Sequence, residues 1–424
     1  MLPLLPGAPV RGERLRTLAG LAPYACAHAG SCCRAGWPIP IDPAPLALLE
    51  RAAAEGHLTT LAEGRWADGQ ILGRTTQHVT AVGRLRVAGT VHQSVVGASR
   101  CVFHAPDDAT GGCRLERSLG PAAMPFSCRQ FPRLLLHDAT GWSLSFSAWC
   151  PTAARLIVTG ASGFSTVGMV EADPRVHIEG LDATAAWPPL LRPGVLAGHD
   201  EYTHWERTVL VEYVDTVHSI GVSASCALAG ALAWTDVVRR WSAGDGTLLH
   251  TLSRPPVRRT DRWLSLWHTT DFSLSERLLG PLTSRISPDS RPGAWPEDLT
   301  EPVLDDTPLH RSEAECALAR YVGTRLMGSW VAYQGTGLRS VLASLVSAHG
   351  LAILALSRLA PRGTPVSRGH LTNSIRAADW LLLHLLDRQP WADWCSSWEA
   401  APDAGGLVAI VAGGHALLDG LTWT

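Results

Sequence analysis

Apolar positions along this chain follow a helical period over most of its length and alternate only briefly. Asp42 followed by Pro43 marks a helix start, because a capping side chain precedes a proline whose missing N–H costs nothing at the first helical position. Leu46, Leu49, Ala53 and Ala54 then form an apolar stripe that ends near Gly56. Leu134 to Asp138 and Trp142 to Ser147 are apolar or alternating runs joined by Ala139-Thr140-Gly141, which reads as a β-hairpin. Beyond Pro151 the period becomes helical: Thr152 to Thr159, then Glu201 to Ile220 after the proline-rich stretch Trp187 to Pro193, then Glu313 to Trp330, Leu338 to Arg358 and His370 to Leu386. A loop rich in Pro, Asp and Ser is expected from Ser287 to Pro308.

These elements predict a mainly α protein with a small β-hairpin element, an α+β arrangement. At 424 residues the chain exceeds what one core usually supports. Two units are expected, a cysteine-bearing one over residues 1–160 and a mostly helical one over 161–424.

Composition removes some function classes. Apolar residues make up 46% of the chain and charged residues 17%, with a formal net charge of -2, so a large core is affordable and no basic face for nucleic acid exists. All 36 basic side chains are arginine, a pattern that a GC-biased genome produces; it excludes a Schiff-base lysine or a lysine general base. The start, MLPLLPGAPVRGERLR, has no uninterrupted apolar segment behind a basic one, so a cytoplasmic protein is expected. Ser340 to Ser357 is the best membrane candidate, but it contains His349, Gly350 and four serines and reads better as a buried helix. No membrane partner is expected.

Cysteine placement is the strongest chemical signal. Seven of the ten cysteines, at 26, 32, 33, 101, 113, 128 and 150, lie in the first 150 residues, beside Gly, Pro and Arg in loop-like contexts. Cys226, Cys316 and Cys395 sit in Ala/Leu-rich stretches and read as small buried hydrophobes. Clustered cysteines in a reducing compartment are more often metal ligands than disulfides, and seven cannot pair completely. Zinc takes four Cys or His ligands, usually as two close pairs, whereas iron–sulfur clusters take four thiolates with more varied spacing. There are no two CxxC pairs, and the radical-SAM triplet CxxxCxxC is absent too. Cys32 and Cys33, being adjacent, point in different directions, so only one of them is expected to ligate a given metal.

Five segments, Cys26-x5-Cys32-Cys33-Arg34-Ala35-Gly36-Trp37, Cys101-Val102-Phe103, Gly112-Cys113-Arg114-Leu115-Glu116, Cys128-Arg129-Gln130-Phe131-Pro132-Arg133 and Trp149-Cys150-Pro151-Thr152-Ala153-Ala154-Arg155, together resemble the flagellin lysine N-methylase family, within the YkgJ-type cysteine-cluster proteins. The likeness is dense over residues 24 to 157 and faint over Tyr321 to Arg325, Leu338 to Arg358 and Ser374 to His384. The resemblance implies an iron–sulfur cluster of the [4Fe-4S] kind, S-adenosylmethionine as methyl donor and a protein lysine as acceptor. This chain departs from the family's pattern at Ala27-His28-Ala29-Gly30-Ser31, where another cysteine is usual, and at His104 after Cys101-Val102-Phe103. Either histidine is a candidate ligand in place of a thiolate.

No glycine loop of the Rossmann kind is found; Gly335-Thr336-Gly337 precedes a helix without a clear strand before it. Methyl transfer to an amine needs in-line approach and a base. Tyr24, Asp42 and Glu116 lie beside the cysteine motifs as candidates for the base, with salt bridging or capping as their plainer roles. Arg129 and Arg133 are candidates for binding a carboxylate of S-adenosylmethionine, or for balancing cluster charge. Trp391 and Trp394, like Trp263 and Trp267, sit at helical spacing as core packing or as an aromatic pocket for a methylsulfonium. Three functions remain: a transferase acting on an amine of a protein or small molecule, an enzyme of specialised metabolism that transfers another group or cyclises a small molecule, and a non-enzymatic metal-cluster protein.

Overall fold

A computed structural model describes residues 5–9, 12–27, 30–35, 39–57, 72–74, 89–91, 101–105, 112–160, 163–172, 180–253, 277, 278, 280, 305–385 and 388–424. The strands are β1 Leu5–Gly7, β2 Arg14–Leu18, β3 Ile39–Ile41, β4 Leu72–Arg74, β5 Gly89–Val91, β6 Arg133–Asp138, β7 Gly141–Phe146, β8 Val167–Glu171, β9 Gly180–Asp182, β10 Leu190–Arg192 and β11 Val195–Leu196. The helices of the first half are α1 Pro43–Ala54, α2 Arg114–Leu119, α3 Phe126–Gln130 and α4 Pro151–Thr159. There follow α5 His199–Leu210, α6 Thr216–Ile220, α7 Ala224–Arg239, α8 Leu248–Leu252, α9 Arg311–Leu326, α10 Leu338–Leu359, α11 Arg368–Trp380, α12 Arg388–Ser397 and α13 Gly405–Asp419. The architecture is the expected one, mainly helical with a minor β component.

The hairpin forms as its alternation predicts. β6 and β7 pair antiparallel from Arg133 opposite Phe146 to Asp138 opposite Gly141. Asp138 closes the turn by accepting from the N–H (2.8 Å) and the hydroxyl (2.6 Å) of Thr140. The hairpin is the centre of a larger sheet, in the order β1-β9-β6-β7-β2-β8. The four outer strands have three to five residues each, too few for their period to stand out.

One core binds this sheet to the helices. Leu15, Leu135, Trp142 and Leu144 of the strands pack with Ala153 and Ile157 of α4 and with Leu318, Tyr321 and Leu345 of the helical half, so the core crosses residue 160. α10 lies at its centre, against α7, α9, α11 and α13. A helix surrounded by others is apolar on every face, which is why this one is long and apolar enough to cross a membrane while 94% of that window is buried inside the protein. Helix α9 ends at Leu326 rather than Trp330, because Gly328 turns the chain with φ +65 and Trp330–Gln334 forms a 3-10 turn. Cys395 and Cys316 pack in or against this core. Trp391 stacks on Trp394 at 5.2 Å between ring centroids and both are core residues, so this pair takes the packing role; Trp263, Trp267 and the loop up to Leu304 lie outside the described residues.

Two polar clusters inside the helical half join its helices. Asp236 of α7 accepts two bonds from Arg339 of α10 (2.8 and 3.1 Å) and one from the N–H of Ala404 (2.9 Å) ahead of α13. His349 of α10 meets the Ser225 hydroxyl (3.0 Å) and the Tyr213 hydroxyl (3.5 Å), the latter carried by the π turn Val211–Asp215 between α5 and α6.

Burial holds His349 neutral and lowers its pKa to about 3, with the charge of His415 adding to the effect. In the unfolded chain an imidazole takes a proton near pH 6.5. The unfolded state therefore binds the proton that the fold refuses, and stability falls by up to about 1.4 kcal/mol per pH unit from roughly pH 6.5 down toward pH 3. His349→Gln is expected to flatten this acid limb in denaturant titrations between pH 7 and pH 4. Equal slopes in the two proteins would contradict the assignment.

Candidate metal centre

The cysteine segments meet in a small second core made by Ile39 and Ile41 of β3, Leu46 and Leu49 of α1, Val102, Phe103, Leu115 and Ala123. Cys101 is buried in it, and Cys33, Cys113 and Cys128 pack against it. Gly30 starts the first loop at φ +72, and the His104 ring fills the space that a Cβ there would need, so glycine is required for both reasons. Cys33 N–H then bonds Gly30 O at 2.9 Å, and Cys33 O accepts from Cys101 N–H at 2.7 Å, which ties together loops far apart in sequence. The Cys101 turn closes on His104 N–H (3.1 Å to Cys101 O), and Phe103 O accepts from Arg114 N–H at 3.0 Å, placing Cys113 beside His104.

Five thiols thereby gather: Cys32, Cys33, Cys101, Cys113 and Cys128. The Cys32 and Cys33 sulfurs are 4.0 Å apart. The Cys33 thiol bonds Cys101 and Cys32 and is pushed well above the usual cysteine range, whereas Cys101 is lowered by accepting from Cys33 and from the N–H groups of Phe103 and His104. Removal from water raises Cys113 to about 11 and Cys128 well above its ordinary value, with the charges of Cys101, Cys32 and Cys113 adding to the latter. At Cys33, Cys113 and Cys128 the charge of neighbouring thiolates adds to the rise, a repulsion that a bound cation would reverse. Among the described residues, no three His, Cys, Asp or Glu side chains close on a single-ion position.

Cys150 is placed apart from these five. It is buried in the main core, and its sulfur lies 3.5 Å from the Tyr24 hydroxyl. Cys26 is exposed and acts on the same tyrosine. His28 lies outside the described residues.

The remaining sequence candidates are engaged locally. Asp42 precedes α1 but does not cap it; its Oδ1 accepts from Phe126 N–H at 2.8 Å, at the start of α3, and its Oδ2 pairs with Arg129 at 3.6 Å. Asp42 therefore pins the short helix that carries Cys128. Arg133 donates to Arg129 O at 3.3 Å and lies over the Tyr24 ring at 5.8 Å. Burial, then Cys150 and Cys26, raise the Tyr24 hydroxyl far above its ordinary value, so it stays protonated rather than acting as a base. Glu116 sits in the first turn of α2, where its N–H is turned to Cys113.

Reading the sequence missed how α11 grips the cysteine loops. Arg376 donates to Trp149 O (3.2 Å) and to Ser31 Oγ (3.2 Å), and stacks on the Trp149 ring at 4.7 Å. Asp379 accepts from Ser147 Oγ (2.7 Å) and from Trp149 N–H (3.4 Å), and on its far side from Tyr321 (3.2 Å). Ala377 and Trp380 pack on Ala35, Trp149 and Phe131. The available signal was a pair of charges, Arg376 and Asp379, among apolar neighbours of a helix.

The chain matches no protein-family model, no curated protein and no solved structure.

Replacing Asp42 tests its anchoring role. Asp42→Ala is expected to lower stability by about 1 kcal/mol, the usual cost of losing a helix-start acceptor, while Asp42→Asn, which keeps an acceptor, loses less. Denaturant unfolding distinguishes them; an unchanged Asp42→Ala midpoint would assign Asp42 some other role.

Proposed function

We propose that this chain holds an iron–sulfur cluster on four of the five gathered thiols and is an S-adenosylmethionine-dependent transferase acting on an amine of a protein or small molecule. The observation that carries the cluster is the convergence of Cys33, Cys101, Cys113 and Cys128 on one small core, with the Cys32 sulfur 4.0 Å from that of Cys33. An iron–sulfur cluster takes four thiolates with varied spacing along the chain, which these dispersed cysteines offer. The donor part of the reading comes from the resemblance of residues 24 to 157 to the flagellin lysine N-methylases.

A cluster with an open iron would supply chelation of the amino and carboxylate groups of S-adenosylmethionine. The chain's own residues would exclude water and orient the loops: Phe103 and Leu115 line the core, and Asp42 fixes α3 and pairs with Arg129, the neighbour of Cys128 in sequence. A cluster with a purely structural role is the second reading, favoured by the engagement of Tyr24 and Asp42, which leaves neither as a ready base.

Anaerobic purification with iron, sulfide and zinc analysis is expected to give about four irons per chain with matching sulfide. Cys101→Ser or Cys128→Ser should abolish this content, and Cys226→Ser should leave it. Stoichiometric zinc without sulfide overturns the cluster. Calorimetry with S-adenosylmethionine on the loaded protein then separates the two readings, because a loaded protein that binds none is not the transferase.

A further inference from the structure

Three of the cysteine-bearing loops converge on one helix from the far end of the chain. Ser31 and Ala35 flank Cys32-Cys33, Phe131 follows Cys128 and Trp149 precedes Cys150; all four residues touch α11. The contact beside Cys32 is made by a guanidinium that is 4% exposed, while Asp379, one turn on, is 0% exposed. Asp379 has its own cation, Arg325, at 3.7 Å, and the shared geometry divides the work: Asp379 holds the N–H side of Trp149 and Arg376 holds its carbonyl.

We infer that Arg376 is a positioning residue for the cysteine centre, setting the Cys32-Cys33 loop against the Trp149-Cys150 turn and holding a permanent positive charge against Ser31, the neighbour of Cys32. This inference rests on the cluster reading above. Two properties of the side chain carry it. A planar fork can bond Ser31 and the Trp149 carbonyl at once while its face rests on the indole, which an ammonium cannot do. A cation near a cluster favours the more negative, reduced form, because net charge and hydrogen bonding around the sulfurs set the potential. Burying a charge at this place is costly unless it is paired, and the pairing here is to the loops that carry the thiols.

The test uses the full chain, purified anaerobically, as wild type, Arg376→Ala, Arg376→Lys and Ser31→Ala. For Arg376→Ala, iron loss to a chelator is expected to be faster by about 10-fold, as for other residues that support metal ligands, and the midpoint potential of the cluster that remains should move to more negative values. Arg376→Lys keeps the charge and loses the fork, so it should restore the potential but not the retention. A merely structural role would change retention in both variants and leave the potential where it is. Ser31→Ala removes only the contact beside Cys32, so it reads the same link should Arg376→Ala fail to fold; faster iron loss than wild type supports the inference. Unchanged retention and potential in Arg376→Ala, or, if that variant does not fold, unchanged retention in Ser31→Ala, overturns it while the cluster stands. A wild-type chain without iron overturns the cluster reading and this inference together.

Discussion

The peptide of Trp149 is held on both sides by one helix: its N–H faces Asp379, its carbonyl faces Arg376, and its ring lies under the guanidinium and against Trp380. Two opposite charges are desolvated to hold one residue, and such burial is tolerable only when every charge finds several partners. Asp379 has Ser147, Tyr321 and Arg325; Arg376 has Asn373, Ser31 and the Trp149 carbonyl. The rest of the structure follows from this grip. The hairpin enters it from β7, α4 leaves it through Cys150 and Pro151, and the small cysteine core is joined through Ser31 and Ala35 to the large helical one.

The absence of lysine acquires a physical meaning at such places. Arg320 donates to the carbonyls of Ile157 and Val158, and Arg339 to Asp236 and to the carbonyls of Trp398 and Ala401. Each uses several donors of one rigid fork to satisfy backbone groups that would otherwise be stranded in the interior. Whatever the origin of the arginine-only composition, the fold now uses the geometry of that side chain.

How much could be read from the residues alone depended on range. α1, α4, α10, α11 and the hairpin were legible, because their apolar period is local, and α1 and α4 start on Asp-Pro and Cys-Pro. The outer strands were not: β2, Arg-Leu-Arg-Thr-Leu, gains strand character only by lying between β7 and β8. At the site, the gathering of thiols in glycine-bearing loops was legible. Its division into four thiols at one core with Cys32 beside them, and two beside Tyr24, was not, since it depends on pairings such as Cys101 with Cys33 and His104 with Cys113. Asp42 shows the same limit at short range: its place at a helix start was readable, but its side chain serves a different helix.

The link from Arg376 to Ser31 spans 345 positions. During synthesis the cysteine loops emerge first and wait, without the helix that orders them, until most of the chain has been made. A contact of such sequence separation must overcome the closure entropy of a very long loop before it contributes stability. The consequence is one of timing: the contact that joins the Cys32-Cys33 loop to α11 forms only after nearly all of the intervening chain has been made.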